Sequence, residues 1–302
     1  MEPAVVDVWL LPRPTALPPL TWLDDAERRR AAALPPDRAV EFVAARRLLR
    51  AVLGRRFHAP PGQVRLIARC SRCGGPHGQV RVVPGPKAEG RPGPDLAAAG
   101  VVLQCHVSIS RAGPLIAVAT AELPVGVDVE SVDAVSAAPV ADVALSAAER
   151  DRHSLLPRKD RPTDLARTWA RKEAVLKVLG TGLELDPSSF TVTCPVTAVD
   201  APGGALAVAV ADLAPGSGGD AASLGAGLPR ESAADGEVAG GDVREAPDAR
   251  GAGYAWDAEN VVGAVAVVGA ARPSVRVHDG GAVLARASWT AARTPRTLPP
   301  CT

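Results

Sequence analysis

Val125–Ser131 reads VGVDVES, and the fold turns on how this stretch is taken. Alternate residues of a strand point to the same face, so Val127 and Val129 look one way and Asp128 and Glu130 the other. The valines ask for burial. The two carboxylates, side by side, repel each other and call for either a wet face or a cation. Nothing within the stretch chooses between these two readings.

The neighbouring sequence supplies the rest of the pattern. VVLQCHVSIS (101–110) and LIAVATA (115–121) predict a hairpin turning across RAGP, with VGVDVES as the next strand. Upstream, AVVDVWLLP (4–12) is a first strand and QVRLIAR (63–69) another. LDDAERRRAAAL (23–34) has acids ahead of arginines, as helix starts do, and DRAVEFVAARRLLRAVLG (37–54) is a second helix closed by Gly54. Residues 70–100 are rich in Gly and Pro and read as loop. Downstream, helices are expected over 145–157 and 162–180, the latter closed by Gly180, with strands over 189–195, 205–213 and 260–270.

The two long helices end alike, in ARRLLRAVLG (45–54) and RKEAVLKVLG (171–180), and strands follow each. This predicts an α+β fold of two similar halves with pseudo-twofold symmetry, 1–122 and 123–272, followed by a weakly structured tail over 273–302 in which SVRVH adds at most a short strand. Residues 214–252 are poor in large apolar side chains and rich in Gly, Ala, Asp and Pro. Burial there does not offset the entropy of ordering, so a disordered insertion is expected.

Bulk composition narrows the function. The 302 residues carry a formal charge of +1, which supplies no general field for nucleic acid. No run approaches the roughly 18 apolar residues of a membrane span, and no signal-peptide pattern opens the chain, so a cytoplasmic protein without a membrane partner is expected. Five cysteines do not form a secreted disulfide framework. The chain has neither a Gly-x-Ser-x-Gly elbow nor a Gly-rich P-loop.

Chemistry gathers on the helix at 162–180. Trp169, Val175, Leu176 and Leu179 share an apolar arc, Glu173 sits at its edge, and Lys177 lies one turn further on, in the favourable i,i+4 order. Taken alone this is a surface ion pair. Beside Asp128 and Glu130 it offers a third carboxylate and a lysine at a helix–strand junction, an all-oxygen set of the kind that suits magnesium.

GVDVE followed by WARKEAVLKVLGTGL (169–183) resembles the paired signature of the 4′-phosphopantetheinyl transferases, closest to the surfactin-synthetase-activating type with two fused halves. The helices over 23–54, LSAAERDRHSLLP (145–157) and LELDPSSFTVT (183–193) are similar to further family segments, and the resemblance covers roughly 1–213 and 254–270. It implies Mg²⁺-dependent transfer of the phosphopantetheine arm of coenzyme A to a serine of an apo acyl- or peptidyl-carrier protein, by an expected monomer, with release of adenosine 3′,5′-bisphosphate. It implies Asp128, Glu130 and Glu173 as metal ligands, Glu173 and Lys177 as catalytic groups, and Arg28, Arg46, Ser108, Ser110 and Lys177 as coenzyme A contacts. Two positions depart from the family: Ile109 stands where a histidine is usual, and Gln79 where a basic residue is usual. A coenzyme A-binding homologue with a regulatory or scaffolding role is the alternative. A separate reading attaches to Cys70 and Cys73, CSRC, whose spacing suits zinc but which needs more ligands, with His77, Cys105 and His106 as candidates.

Overall fold

The computed structural model describes residues 3–70, 73–75, 78–83, 105–192, 196–201, 204–213, 260–269 and 272–292. In chain order the elements are β1 (Val5–Pro12), α1 (Asp25–Ala32), α2 (Pro36–Arg56), β2 (Arg65–Ile67), β3 (Arg81–Val83), β4 (His106–Ala112), β5 (Leu115–Ala121) and β6 (Val125–Ser131). Then come α3 (Val132–Ala137), α4 (Val140–Ala144), α5 (Ala147–Leu155), α6 (Arg161–Leu179), β7 (Val196–Ala201), β8 (Gly204–Asp212), β9 (Val261–Val268), β10 (Ser274–Asp279) and α7 (Gly280–Ala292). The expected disordered insertion at 214–252 lies outside the described residues.

Two four-stranded sheets, ordered β10-β1-β5-β4 and β6-β9-β8-β7, pack against each other. Alternation explains how. In β5, Leu115, Ala117, Ala119 and Ala121 join the layer between the sheets, while Ile116 and Val118 face α2. In β9, Val261, Val265 and Val267 enter the same inner layer, while Val262, Ala264 and Ala266 face α6. Each sheet is therefore buried on both faces, and its central strand reads as a continuous apolar run. At about 25 cal/mol per Å² of apolar surface, these three layers dominate the stabilising side of folding. The mixture of helix and sheet is the expected α+β class. No helix of the described residues is long and apolar enough to cross a membrane.

Several boundaries differ from those expected. Gly54 does not close α2, which runs on to Arg56. Its role is spatial, since a Cβ there would lie 2.7 Å from the Ala59 carbonyl oxygen. Gly180 does close α6, in the left-handed conformation at φ 70°. The loop expected over 70–100 contains β3, paired with β2. The described part of 189–195 forms no strand. Its polar backbone groups are bonded by side chains instead: the Phe190 carbonyl accepts from Lys172 Nζ at 2.6 Å, and the Val192 amide donates to Glu149 Oε1 at 2.8 Å. The strand lies just beyond, at β7.

The tail differs most. Beyond the short SVRVH strand, residues 280–292 continue as α7, and β10 adds in parallel to the outer edge of β1. His278 makes this edge specific, stacking on Trp9 at 4.9 Å and bonding Asp7 through Nε2 at 2.8 Å. A residue pattern that looks weak alone becomes ordered because β1 offers it a free edge.

Candidate active site

The site forms where edge strand β4 of the first sheet meets edge strand β6 of the second. Gly126 makes the approach of α6 feasible: a Cβ at this position would stand 2.0 Å from the Ala174 carbonyl oxygen. The next two residues on that face of β6 are Asp128 and Glu130, so the helix that crosses Gly126 brings Glu173 and Lys177 over the acids. Val127 and Val129 turn away into the inner core, as the alternation requires.

Asp128 is 3% exposed. Its Oδ1 accepts from Lys177 Nζ at 2.6 Å and from Ser110 Oγ at 2.7 Å, while Oδ2 is buried with no hydrogen-bond partner. Lys177 Nζ also donates to the Val127 carbonyl at 3.1 Å. Burial raises the proton affinity of Asp128, and Lys177 and Ser110 oppose it. Burial, then the neighbouring Asp128 charge, push Glu130 up to about 8. Glu173 is shifted upward by burial and again by Asp128. One ammonium thus faces three carboxylates; burial is the largest cause of each upward shift, and the Asp128 charge adds to it for Glu130 and Glu173. Hard oxygen donors, an orphaned buried carboxylate oxygen and excess negative charge together fit a divalent cation such as Mg²⁺. Among the described residues no group of three Asp, Glu, His or Cys side chains is arranged to hold a metal ion.

Beside the acids opens a cavity of about 990 Å³, walled by α1 and α2, residues 69–70 and 78–81, β4 and the end of α6. Arg30, Arg46, Arg69, Arg81, Arg111 and Lys177 line it, against Glu184 as the carboxylate among its described walls. Such a concentration of cations with low-dielectric walls attracts a polyanion. Arg46 is prepared for one. It is 7% exposed, lies 3.6 Å from Glu27 and 5.3 Å over the Phe42 ring, and keeps Nη1 buried without a partner. Desolvation lowers its pKa to about 10.

The structure brings Asp128, Glu130, Glu173 and Lys177 together and sets Arg46 on the cavity wall. Arg28 is not brought in: it is exposed on α1, 3.8 Å from Asp25, and lies outside the cavity lining. Arg30, two residues on, takes that place. Ser108 lines the cavity, but its Oγ accepts from the Val127 amide at 3.0 Å, and the Ser110 hydroxyl is committed to Asp128. Both hydroxyls therefore stitch β4 to β6. Ile109 lines the cavity with apolar surface, and His106 is exposed on the opposite strand face. Gln79 Nε2 donates to the Lys177 carbonyl at 3.0 Å. Cys70 lines the cavity, Cys73 is exposed and Cys105 is buried in the α2 core; His77 lies outside the described residues.

Sequence reasoning missed a second group. Lys172, fully buried, binds Glu149 at 2.6 Å and the carbonyls of Pro187 and Phe190. Glu149 in turn closes a capping box with Ser146 at the start of α5. This hub fixes the segment after α6 against the helix carrying Glu173. The only hint in the sequence was a lysine on the apolar side of α6, one residue before Glu173.

Residues 124–203 match the family model of the 4′-phosphopantetheinyl transferase superfamily. The matched segment runs from the start of β6 past β7 and holds Asp128, Glu130, Glu173 and Lys177. No curated protein matches the chain.

Proposed function

We propose that this protein, with a phosphopantetheinyl transferase domain over 124–203, transfers the 4′-phosphopantetheine arm of coenzyme A to a serine of an apo acyl- or peptidyl-carrier protein. The observation that carries the reading is the convergence of Asp128, Glu130 and Glu173 on Lys177, which lines a cationic cavity large enough for a nucleotide cosubstrate. In this reading the fused, two-half type applies, with halves 1–122 and 123–272 related by approximate twofold symmetry and coenzyme A between them.

The residues divide the work. Arg46 and Arg30 receive the nucleotide phosphates, and Arg69, Arg81 and Arg111 raise the local concentration of the anion. Asp128, Glu130 and Glu173 would hold Mg²⁺, which when bound supplies charge neutralisation at the pyrophosphate oxygens. Lys177 offsets charge as it develops on the leaving group. Glu173, whose proton affinity is raised by burial and by Asp128, accepts the proton of the attacking serine. The serine oxygen bonds to the phosphorus bearing pantetheine, the pyrophosphate P–O bond breaks, and adenosine 3′,5′-bisphosphate leaves.

The test is product release. With coenzyme A, Mg²⁺ and an apo-carrier, the adenosine bisphosphate formed should equal the carrier consumed, as read by chromatography. Coenzyme A binding without nucleotide release from a panel of carriers would instead favour a non-catalytic binder.

A further inference from the structure

Arg46 and Arg50 lie one turn apart on α2, on the face that meets α1, and both reach the same carboxylate there, Glu27. Glu27 is the third residue of α1, where a capping box fixes it. Its amide donates to Asp24 Oδ1 at 2.9 Å, and its Oε2 accepts from the Asp24 amide at 3.2 Å. Arg50 completes the anchorage. Fully buried, it donates to the same Oε2 from Nη2 at 2.7 Å and from Nε at 3.2 Å. Arg50 is held in turn, by Asp24 Oδ2 at 3.3 Å from Nη2 and by the Val64 carbonyl at Nη1.

The other oxygen of the carboxylate is left over. Among the described residues Glu27 Oε1 is buried with no hydrogen-bond partner, although Arg46 Nε stands 3.6 Å away. Arg46 Nη1 is buried without a partner as well, and the guanidinium stacks over the Phe42 ring at 5.3 Å. Folded proteins rarely leave two charged atoms of one ion pair unsatisfied. Since Oε2 fixes the carboxylate, the guanidinium is the member of the pair that can adjust. A shift of roughly half an ångström would bring Nε within bonding range of Oε1. Nη1 would still lack an acceptor, and Arg46 lines the cavity from which one can come.

The surrounding charges make Glu27 conspicuous. Burial, first, lowers the pKa of Arg46 to about 10, and Arg30, Arg50 and Arg111 oppose its charge further. Glu27 alone among the groups acting on Arg46 favours the protonated form. A carboxylate beside an anion site also repels the anion. Its presence in this wall is therefore a cost to binding unless it holds the cation that receives the ligand.

We infer that Glu27 is a positioning residue of the anion site: clamped by Arg50 through Oε2, it holds the Arg46 guanidinium on the cavity wall through Oε1 and leaves Nη1 for a ligand oxygen. The ligand class is a phosphate ester or pyrophosphate, whose oxygens accept such charge-assisted bonds. That this anion belongs to coenzyme A rests on the transferase reading; the dependence of Arg46 on Glu27 does not.

A double-variant cycle tests this by calorimetry on the full-length protein, titrated separately with coenzyme A and with inorganic pyrophosphate. Glu27→Gln keeps an oxygen for the capping box, and a thermal melt checks its fold. It should weaken both probes about tenfold at neutral pH, the loss of one charge-assisted hydrogen bond. In the Arg46→Gln background the same change should weaken neither, and loss of the repelling charge should tighten them slightly. As pH rises toward 10, binding by Glu27→Gln should fall off earlier than binding by the native protein, because Arg46 has lost the charge that favours its protonated form. If Glu27→Gln does not fold, Glu27→Gln with Arg50→Met removes both buried charges together and goes through the same cycle. Tighter binding by Glu27→Gln, an equal loss in both backgrounds, or an unshifted alkaline fall would overturn the inference. So would a native protein that binds neither probe. Binding of pyrophosphate without coenzyme A would count against the transferase reading, with the pyrophosphate cycle still deciding the role of Glu27.

Discussion

Lys177 Nζ lies 2.6 Å from Asp128 Oδ1, with 28% of the lysine side chain exposed against 4% for the aspartate. The pair is asymmetric: the carboxylate is sealed in the β4–β6 seam, while the ammonium reaches it from the cavity side. A cation so placed offsets the charge of Asp128 and presents its exposed side to the cavity. Lys177→Met should lower kcat by about 10²–10³, the loss expected for one charge-stabilising donor. Steady-state kinetics with a matched thermal melt measures this. An unchanged kcat would remove Lys177 from the chemistry.

The acids predict a pH dependence with a defined sign. Glu130 titrates near 8 in the folded protein, far above the ordinary carboxylate value, because burial and Asp128 disfavour its charge. The folded state then binds more protons than the unfolded chain between these two values. Its contribution to stability is full below the ordinary carboxylate pKa and is lost as pH rises through about 8. Without divalent cations, the melting temperature should fall from mildly acidic to mildly alkaline pH. Added Mg²⁺ should restore it mainly at the alkaline end, where the carboxylates are ionised to receive it. Melts in chelator and in Mg²⁺ across this range check both limbs, and an Mg²⁺ effect largest in acid would contradict the donor assignment.

Lys172→Met should cost about 3–5 kcal/mol, because it leaves Glu149 buried without its cation. Glu149 is 3% exposed, so solvent cannot replace the partner. The double variant with Glu149→Gln should cost less than the sum of the singles, which urea unfolding of all four proteins measures. Strict additivity would show that the pair does not act as a unit.

Gly126→Ala inserts a methyl group where the Ala174 carbonyl stands. The helix must move, at a cost of about 3 kcal/mol or more. Displacing Glu173 and Lys177 by about 1 Å should also lower turnover on the order of 10²-fold. A fully stable and active variant would show that α6 does not depend on this contact.

Much of this site was legible in the sequence because it rests on two simple periods. Alternation put Asp128 and Glu130 on one face of β6, and the 3.6-residue repeat put Glu173 and Lys177 together at the edge of α6. What periodicity does not give is which helix face meets which neighbour. Arg28 and Arg30 belong to one arginine run, and only the packing of α1 against Phe42 on α2 turns Arg30 to the cavity. Ser108 and Ser110 were expected to hold the cosubstrate, yet their hydroxyls bond β6, a contact between sheets that no local pattern encodes. The strand expected at 189–195 failed for a related reason. In its described part, 189–192, Phe190 and Val192 are buried, but Lys172 and Glu149 take backbone bonds that a neighbouring strand would have made.

The central claim is most directly tested by intact mass of an apo-carrier protein after incubation with this protein, coenzyme A and Mg²⁺, with Glu173→Gln run in parallel. The native protein should add one phosphopantetheine arm at the carrier's serine, and Glu173→Gln should leave the carrier in its apo mass. An unmodified carrier with the native protein across acyl and peptidyl carriers, or equal modification by the variant, would contradict the account.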